Sequence, residues 1–182
     1  MNDFLNLFYT LKTEKTMSNI TFGVEYLKEL DAEAAATRKC IERVPESLYE
    51  WRPHEKSMTM GYLTHLVAEI PNWITHMIVK SEIDFATYPH FKAGSAAELT
   101  KHFEENMDGA RKALMNVTND QLKEPFYLKH SGQVIFTSPK KENISSSINH
   151  MVHHRGQLTV YLRLNNLPVP SIYGPSADDK AF

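Results

Sequence analysis

The sequence is poor in the residues that several common chemistries need. It holds one cysteine, Cys40, in 182 residues. An intramolecular disulfide and a cysteine-based zinc cluster are therefore excluded, and the composition suits a reducing, cytoplasmic setting. Seven glycines are few for an all-β chain with many tight turns. Twenty basic and 22 acidic side chains nearly cancel, leaving a formal charge of -2. That balance exerts no general pull on a phosphate backbone, so no nucleic-acid partner is expected. No apolar run approaches the roughly 20 residues of a membrane span, so no membrane partner is expected either. The start, MNDFLNLFYTLKTEKT, lacks the basic opening and small-residue cleavage site of a signal peptide.

Several catalytic signatures are also missing. The chain has no HExxH, which excludes the common zinc-protease helix. It has no Glu-x-x-His pair, which counts against a di-iron carboxylate centre. GxxxxGK[ST], GxGxxG and GxSxG do not occur.

What the sequence does contain is helical periodicity. A first helix is expected from about residue 21 to 44, with Phe22, Tyr26, Leu30, Ala34 and Ile41 on one face and Pro45 ending it. A second is expected from about 58 to 79, capped by Ser57, with Tyr62, Leu66, Ile70, Trp73 and Met77 as its apolar stripe. Pro71 falls inside it and predicts a kink or weak turn over 67–71. A third runs from about 95 to 117, opened by the capping-box pair Ser95 and Glu98. Between the second and third, SEIDFATYPHFKAG reads as a loop. A short hairpin is expected around Ser131-Gly132. The last helix should start near Pro139, capped by Ser138, and stop at Asn165-Asn166. These elements predict an all-α four-helix bundle with a short β-hairpin or extended segment before the last helix. One domain over 18–182 is preceded by an extension, residues 1–17. Two readings of that extension stay open: an added docking helix, or an upstream translation start.

The chemistry concentrates in INHMVHHRGQL, residues 148–158. On a helix, His150 and His154 lie on one face, in a stripe with Ser147, Met151, Leu158 and Tyr161, while His153 falls on the flank. Two imidazoles at this spacing suit zinc, nickel, iron or copper, but a catalytic centre usually has three protein ligands and an open position. His65 on the second helix is the candidate third ligand, although an idealised helix puts it about 120° from the centre of the Tyr62–Trp73 stripe. Glu69, four residues on, could orient it, act as a base or add a carboxylate ligand. A structural pair of core histidines is the plain alternative. His54, His76, His90, His102 and His130 read as solvated. Arg155 and Gln157 read as a structural pair or an anion site. Trp51 and Trp73 read as packing residues, and Cys40 as a structural thiol.

WRPHEKSMTMGYLTHLVAEIPNW and INHMVHHRGQLTVYLRLNNLPVPSIYGPSADD together resemble the DinB-like (DinB/YfiT) family of metal-dependent enzymes. The resemblance covers roughly residues 20–179. It implies a four-helix bundle and a divalent-metal site formed by His65, His150 and His154, the metal being zinc or nickel. Relatives of the fold include transferases and isomerases that use a low-molecular-weight thiol, so such a thiol is a second implied cofactor. The resemblance also implies homodimers. Fold alone does not transfer an activity. The expectation is a hydrolase or thiol-dependent transferase acting on a small molecule. The alternative is a non-catalytic, stress-related binding module or dimeric helical scaffold with a structural metal or none.

Overall fold

The side chain of Thr21 accepts the backbone N–H of Val24 and so starts the first helix, α1, Phe22–Glu42. A threonine there satisfies an amide that the helix itself cannot. In the computed structural model, residues 21–89, 91, 92 and 94–180 are described. The 1–17 extension and His90 lie outside them. After a 3-10 turn, Glu46–Leu48, helix α2 spans Met60–Val79. Its cap is Thr59, whose side chain accepts from the Tyr62 amide, two residues beyond the expected Ser57. The helix continues through Pro71 without a break, and the proline is buried. Helix α3, Ala96–Asn116, opens with the full capping box of Ser95 and Glu98, as the sequence predicts. A short helix, α4, Asn119–Lys123, carries a second capping box from Thr118 and Gln121.

Two strands form the expected hairpin and a third adds to it. Strand β2, Pro125–His130, and strand β3, Gln133–Pro139, run antiparallel. Ser131 (φ 50°) and Gly132 (φ 79°) join them, the paired positive φ values of a tight two-residue turn. The segment expected to be a plain loop contains β1, Glu82–Asp84, which pairs parallel with β2. The sheet order is β1-β2-β3. Helix α5, Lys140–Leu164, begins one residue after Pro139 and has no side-chain cap from Ser138. Instead Asn143 Nδ2 donates to the Ser138 and Pro139 carbonyls.

The fold is thus mostly helical, with five α-helices among the described residues and one small sheet. Helix α2 packs against α3 and α5, and α1 packs against the same two from the other side. The main core lies between them and includes Leu30, Ile70, Ile74, Phe103, Met107 and Met151. A smaller one joins Cys40, Met60, Leu63, Leu158 and Leu162. The apolar stripe of α2 is displaced from the expected one. Leu63, Val67, Ile70, Ile74 and Met77 are buried, whereas Tyr62 is 61% exposed. Tyr62, Leu66 and Trp73 occupy an adjoining face, and that face carries the candidate site.

Candidate metal and ligand site

Helix α2 brings His65, Leu66, Glu69 and Trp73 to one side of the molecule, where they line a cavity of about 490 Å³. Phe85, Tyr88, Phe91 and Lys92, which follow β1 in the chain, also line it. The parallel pairing of β1 with β2 holds the start of that segment. Asp84 ties it further, because its carboxylate accepts the backbone amides of Ala86, Ser131 and Gly132. Helix α5 contributes His150 to the cavity.

His150 and His154 meet as their spacing predicts. Their Nε2 atoms are 2.7 Å apart, and their ring centroids 4.5 Å. His154 is buried, His150 is half-buried and His153 is exposed. The Nδ1 of His154 lies 2.7 Å from Gln157 Oε1. A carbonyl oxygen only accepts, so Nδ1 donates to it and Nε2 is the ring atom that faces His150. Burial, and then the neighbouring His154 and His153, hold His150 below the ordinary histidine range, so it stays neutral at physiological pH. The ring of Trp73 packs at 5.6 Å from that of His150. Gln157 therefore serves His154, not Arg155 as the sequence suggested.

His65 and Glu69 sit on the same cavity wall as His150, but a second histidine approaches them from α3. His65, Glu69 and His102 form a group whose candidate ligand atoms all lie within 4.8 Å of one another. The expectation that His102 is solvated is corrected. Its side chain is only 16% exposed, and its ring stacks on Phe91 with centroids 3.9 Å apart. His76 is likewise half-buried, against the ring of Tyr88. Glu69 is the hub. Its Oε1 accepts from the Tyr88 hydroxyl at 2.5 Å and from Asn72 Nδ2 at 2.9 Å. Its Oε2 lies 2.5 Å from His102 Nε2. Burial alone would raise the pKa of Glu69, but the hydrogen bonds from Tyr88, Asn72 and His102 outweigh it and leave the carboxyl below its ordinary value. Desolvation and the Glu69 carboxylate together push the Tyr88 hydroxyl far above its usual range, so Tyr88 remains a donor.

Two members of this network left partial traces in the sequence. Asn72 follows Glu69 by three residues and Asn106 follows His102 by four, spacings that place each pair on one helical face. Asn106 donates to the Ala68 carbonyl, tying α3 to α2 beside His102. Tyr88 gave no local signal, since only the β1–β2 pairing brings its loop to α2. Of the remaining residues, Trp51 packs edge-on against Tyr161 at 5.4 Å as expected, whereas Trp73 packs and also lines the cavity. Arg155 is structural: its guanidinium is 2.6 Å from Glu33 Oε2 and also donates to Thr37 Oγ1 and Tyr173 Oη.

Comparison with known proteins agrees with this architecture. The sequence profile of the DinB family matches residues 17–181. A curated relative, the uncharacterized protein YrdA of Bacillus subtilis (strain 168), is 26% identical over 157 residues, covering 86% of this chain and 90% of that one. The crystal structure of the DinB-like protein YjoA from Bacillus subtilis superposes with a TM-score of 0.63 at 15% identity, covering 86% of this chain and 99% of its own. A DinB-like protein from Bacillus cereus ATCC 10987 gives 0.61 at 20% identity, covering 81% and 95%. At such identities the structural likeness is one of fold. Because the family profile spans nearly the whole chain, the chain belongs to the DinB family.

Proposed function

We propose that this protein is a divalent-metal-dependent enzyme acting on a small molecule, on a DinB-like four-helix bundle scaffold. The observation that carries the reading is the convergence of two imidazole Nε2 atoms, His150 and His154, 2.7 Å apart. One of them lies on the wall of a cavity that His65 and Glu69 also line. The donors fit a borderline metal such as zinc or nickel: His154 has its tautomer fixed by Gln157, and His150 is kept neutral. His65, His150 and His154 would hold the ion, although among the described residues His65 groups within 4.8 Å with Glu69 and His102 and not with this pair. When bound, such an ion lowers the pKa of a coordinated water or thiol and so supplies a nucleophile near neutral pH. The reaction class is then hydrolysis, or transfer to a low-molecular-weight thiol.

Glu69 contributes as an anchor. With its oxygens engaged by Tyr88, Asn72 and His102 and its pKa depressed, it is a weak base at neutral pH. It orients His102 and Tyr88 beside the cavity. A homodimer belongs to the same proposal. Its support is β3, an edge strand of the sheet among the described residues, where Val134, Ile135 and Phe136 are all at least half exposed, and sedimentation of the full chain tests it.

Metal analysis of the purified protein tests the central reading. The wild type should carry close to one equivalent of a divalent ion, and a His150→Ala/His154→Ala variant should carry little. Equal content in both, whether negligible or near one equivalent, would overturn the proposal. His65→Ala and His102→Ala identify the third ligand: loss with the first alone selects the His65/His150/His154 set, whereas equal loss with both selects the group around Glu69. A screen for hydrolysis and for thiol transfer, read against the same variants, then separates the two reaction classes.

A further inference from the structure

The walls of the cavity speak to what enters it. Five aromatic side chains face it from two elements: Tyr62 and Trp73 from α2, and Phe85, Tyr88 and Phe91 from the chain after β1. Tyr62 is 61% and Phe85 44% exposed, a solvent-facing apolar surface of the kind that marks a ligand site. Among the described residues, one lysine or arginine lines the cavity, Lys92, and it is exposed at the rim. The one carboxylate on the wall, Glu69, already accepts from Tyr88 and Asn72 and faces His102. Its charge is held within the wall, where the side chain is 9% exposed, whereas Lys92 is open to an entering ligand, although aromatic rings alone would attract a cation. The asymmetry favours an anion.

We propose that this cavity binds a small aromatic monoanion, its flat apolar body against Tyr62, Trp73, Phe85 and Phe91 and its carboxylate or equivalent group toward Lys92. This names the substrate class of the site described above, and it rests on that reading only for which end of the molecule reacts. The volume of about 490 Å³ suits a ring with a short chain. A carboxylate near Lys92 gains a charge-assisted hydrogen bond beside low-dielectric walls, while the rings remove apolar surface from water.

Calorimetry on the full chain tests this with four probes: 4-phenylbutanoate, 4-phenylbutanamide, 4-phenylbutylamine and butanoate. The acid should bind about fivefold more tightly than the amide. Butanoate, lacking the ring, should be weaker than 4-phenylbutanoate by on the order of tenfold or more. Lys92→Ala should bring the acid down to the level of the amide without changing the amide, and Lys92→Arg should restore the difference. Lys92 is exposed, so these variants should fold. Tightest binding of the amine, equal binding of acid and amide, butanoate matching the aromatic acid, or an acid preference that survives in Lys92→Ala would each overturn the proposal. Each titration is run on chelator-treated and on zinc-treated protein. The expected pattern in protein that takes up no zinc upholds the ligand class and defeats the metal reading. Zinc uptake without the pattern does the reverse.

Discussion

His154 depends on a residue three positions after it. Gln157 Oε1 fixes the Nδ1 proton, and a ligand histidine held by such a partner binds metal more tightly and in one orientation. Gln157→Leu keeps the bulk and removes the acceptor. Metal affinity should then fall by about 10- to 100-fold with helix content unchanged, as measured by competition with a chromophoric chelator. Unchanged affinity would remove Gln157 from the site. Cys40 makes a second case at this scale. It is fully buried, and burial pushes its thiol up to about 11 despite Arg155 and Arg43 nearby. The thiol should resist alkylation at pH 8 in the folded protein and react once urea unfolds it. Its folded pKa is raised, so its contribution to stability is complete below the unfolded value near 9. That contribution is lost as pH climbs from there toward 11. Urea midpoints for wild type and Cys40→Ala across that range should show the wild type falling more steeply. The legibility of single residues followed the same division. The His150–His154 pair could be read because four residues on a helix fix a common face. The place of His102 could not, because Glu69 and Phe91 reach it from elements distant in the chain.

At the scale of elements, local chemistry decides where helices start and distant pairing decides where the loop goes. The capping box of Ser95 and Glu98 uses residues three apart, so it was visible in the sequence. Ser95→Ala should cost about 1 kcal/mol, read as a lower urea midpoint with an unchanged slope. Strand β1 was invisible because Glu82, Ile83 and Asp84 find their partners at Tyr127, Leu128 and Lys129, far along the chain and beyond a reading of local pattern. The stripe of α2 misled for a related reason. Tyr62 and Trp73 recur at helical spacing, yet they line a cavity rather than the core. Spacing identifies a face of a helix and does not say whether protein or ligand covers it. Asp84 joins β1 to the hairpin turn, and hydrogen bonds from the Ala86 and Gly132 amides hold its carboxyl below the usual value. Its contribution is therefore complete above the ordinary aspartate range and is lost as pH falls through the depressed value. Hydrogen exchange at the Ser131 and Gly132 amides should quicken in Asp84→Ala at neutral pH. In the wild type, protection of these amides relative to the intrinsic rate should fall only under acid conditions. Identical protection in both proteins at neutral pH would show that the strands alone hold the loop.

For the whole molecule, one buried cation joins three parts of the chain. The side chain of Arg155 on α5 is 2% exposed and paired with Glu33 on α1; it also donates to Tyr173 of the C-terminal segment. Removing one partner of such a pair strands the other charge. Arg155→Ala should cost about 3 kcal/mol or more, seen in the urea midpoint. Tyr173→Phe should cost about 1 kcal/mol, since it removes hydrogen bonds from a largely exposed side chain. If Arg155→Ala were as mild as Tyr173→Phe, the ion pair would not be what unites these segments. Among the described residues no helix is long and apolar enough to cross a membrane.

His154 and Arg155 are neighbours in the chain that serve opposite tasks. The first turns toward His150 and the second toward Glu33. One residue of helix is a rotation of about 100°, and that rotation is the whole separation between the two tasks. Exchanging either side chain damages one of them. Inserting or deleting a single residue between His150 and His154 would break the four-residue spacing of the imidazoles and swing the guanidinium relative to the preceding part of the helix. Over this stretch the register of the chain is thus constrained more tightly than its composition, and length changes should be tolerated in the turn at Ser131-Gly132 long before they are tolerated here.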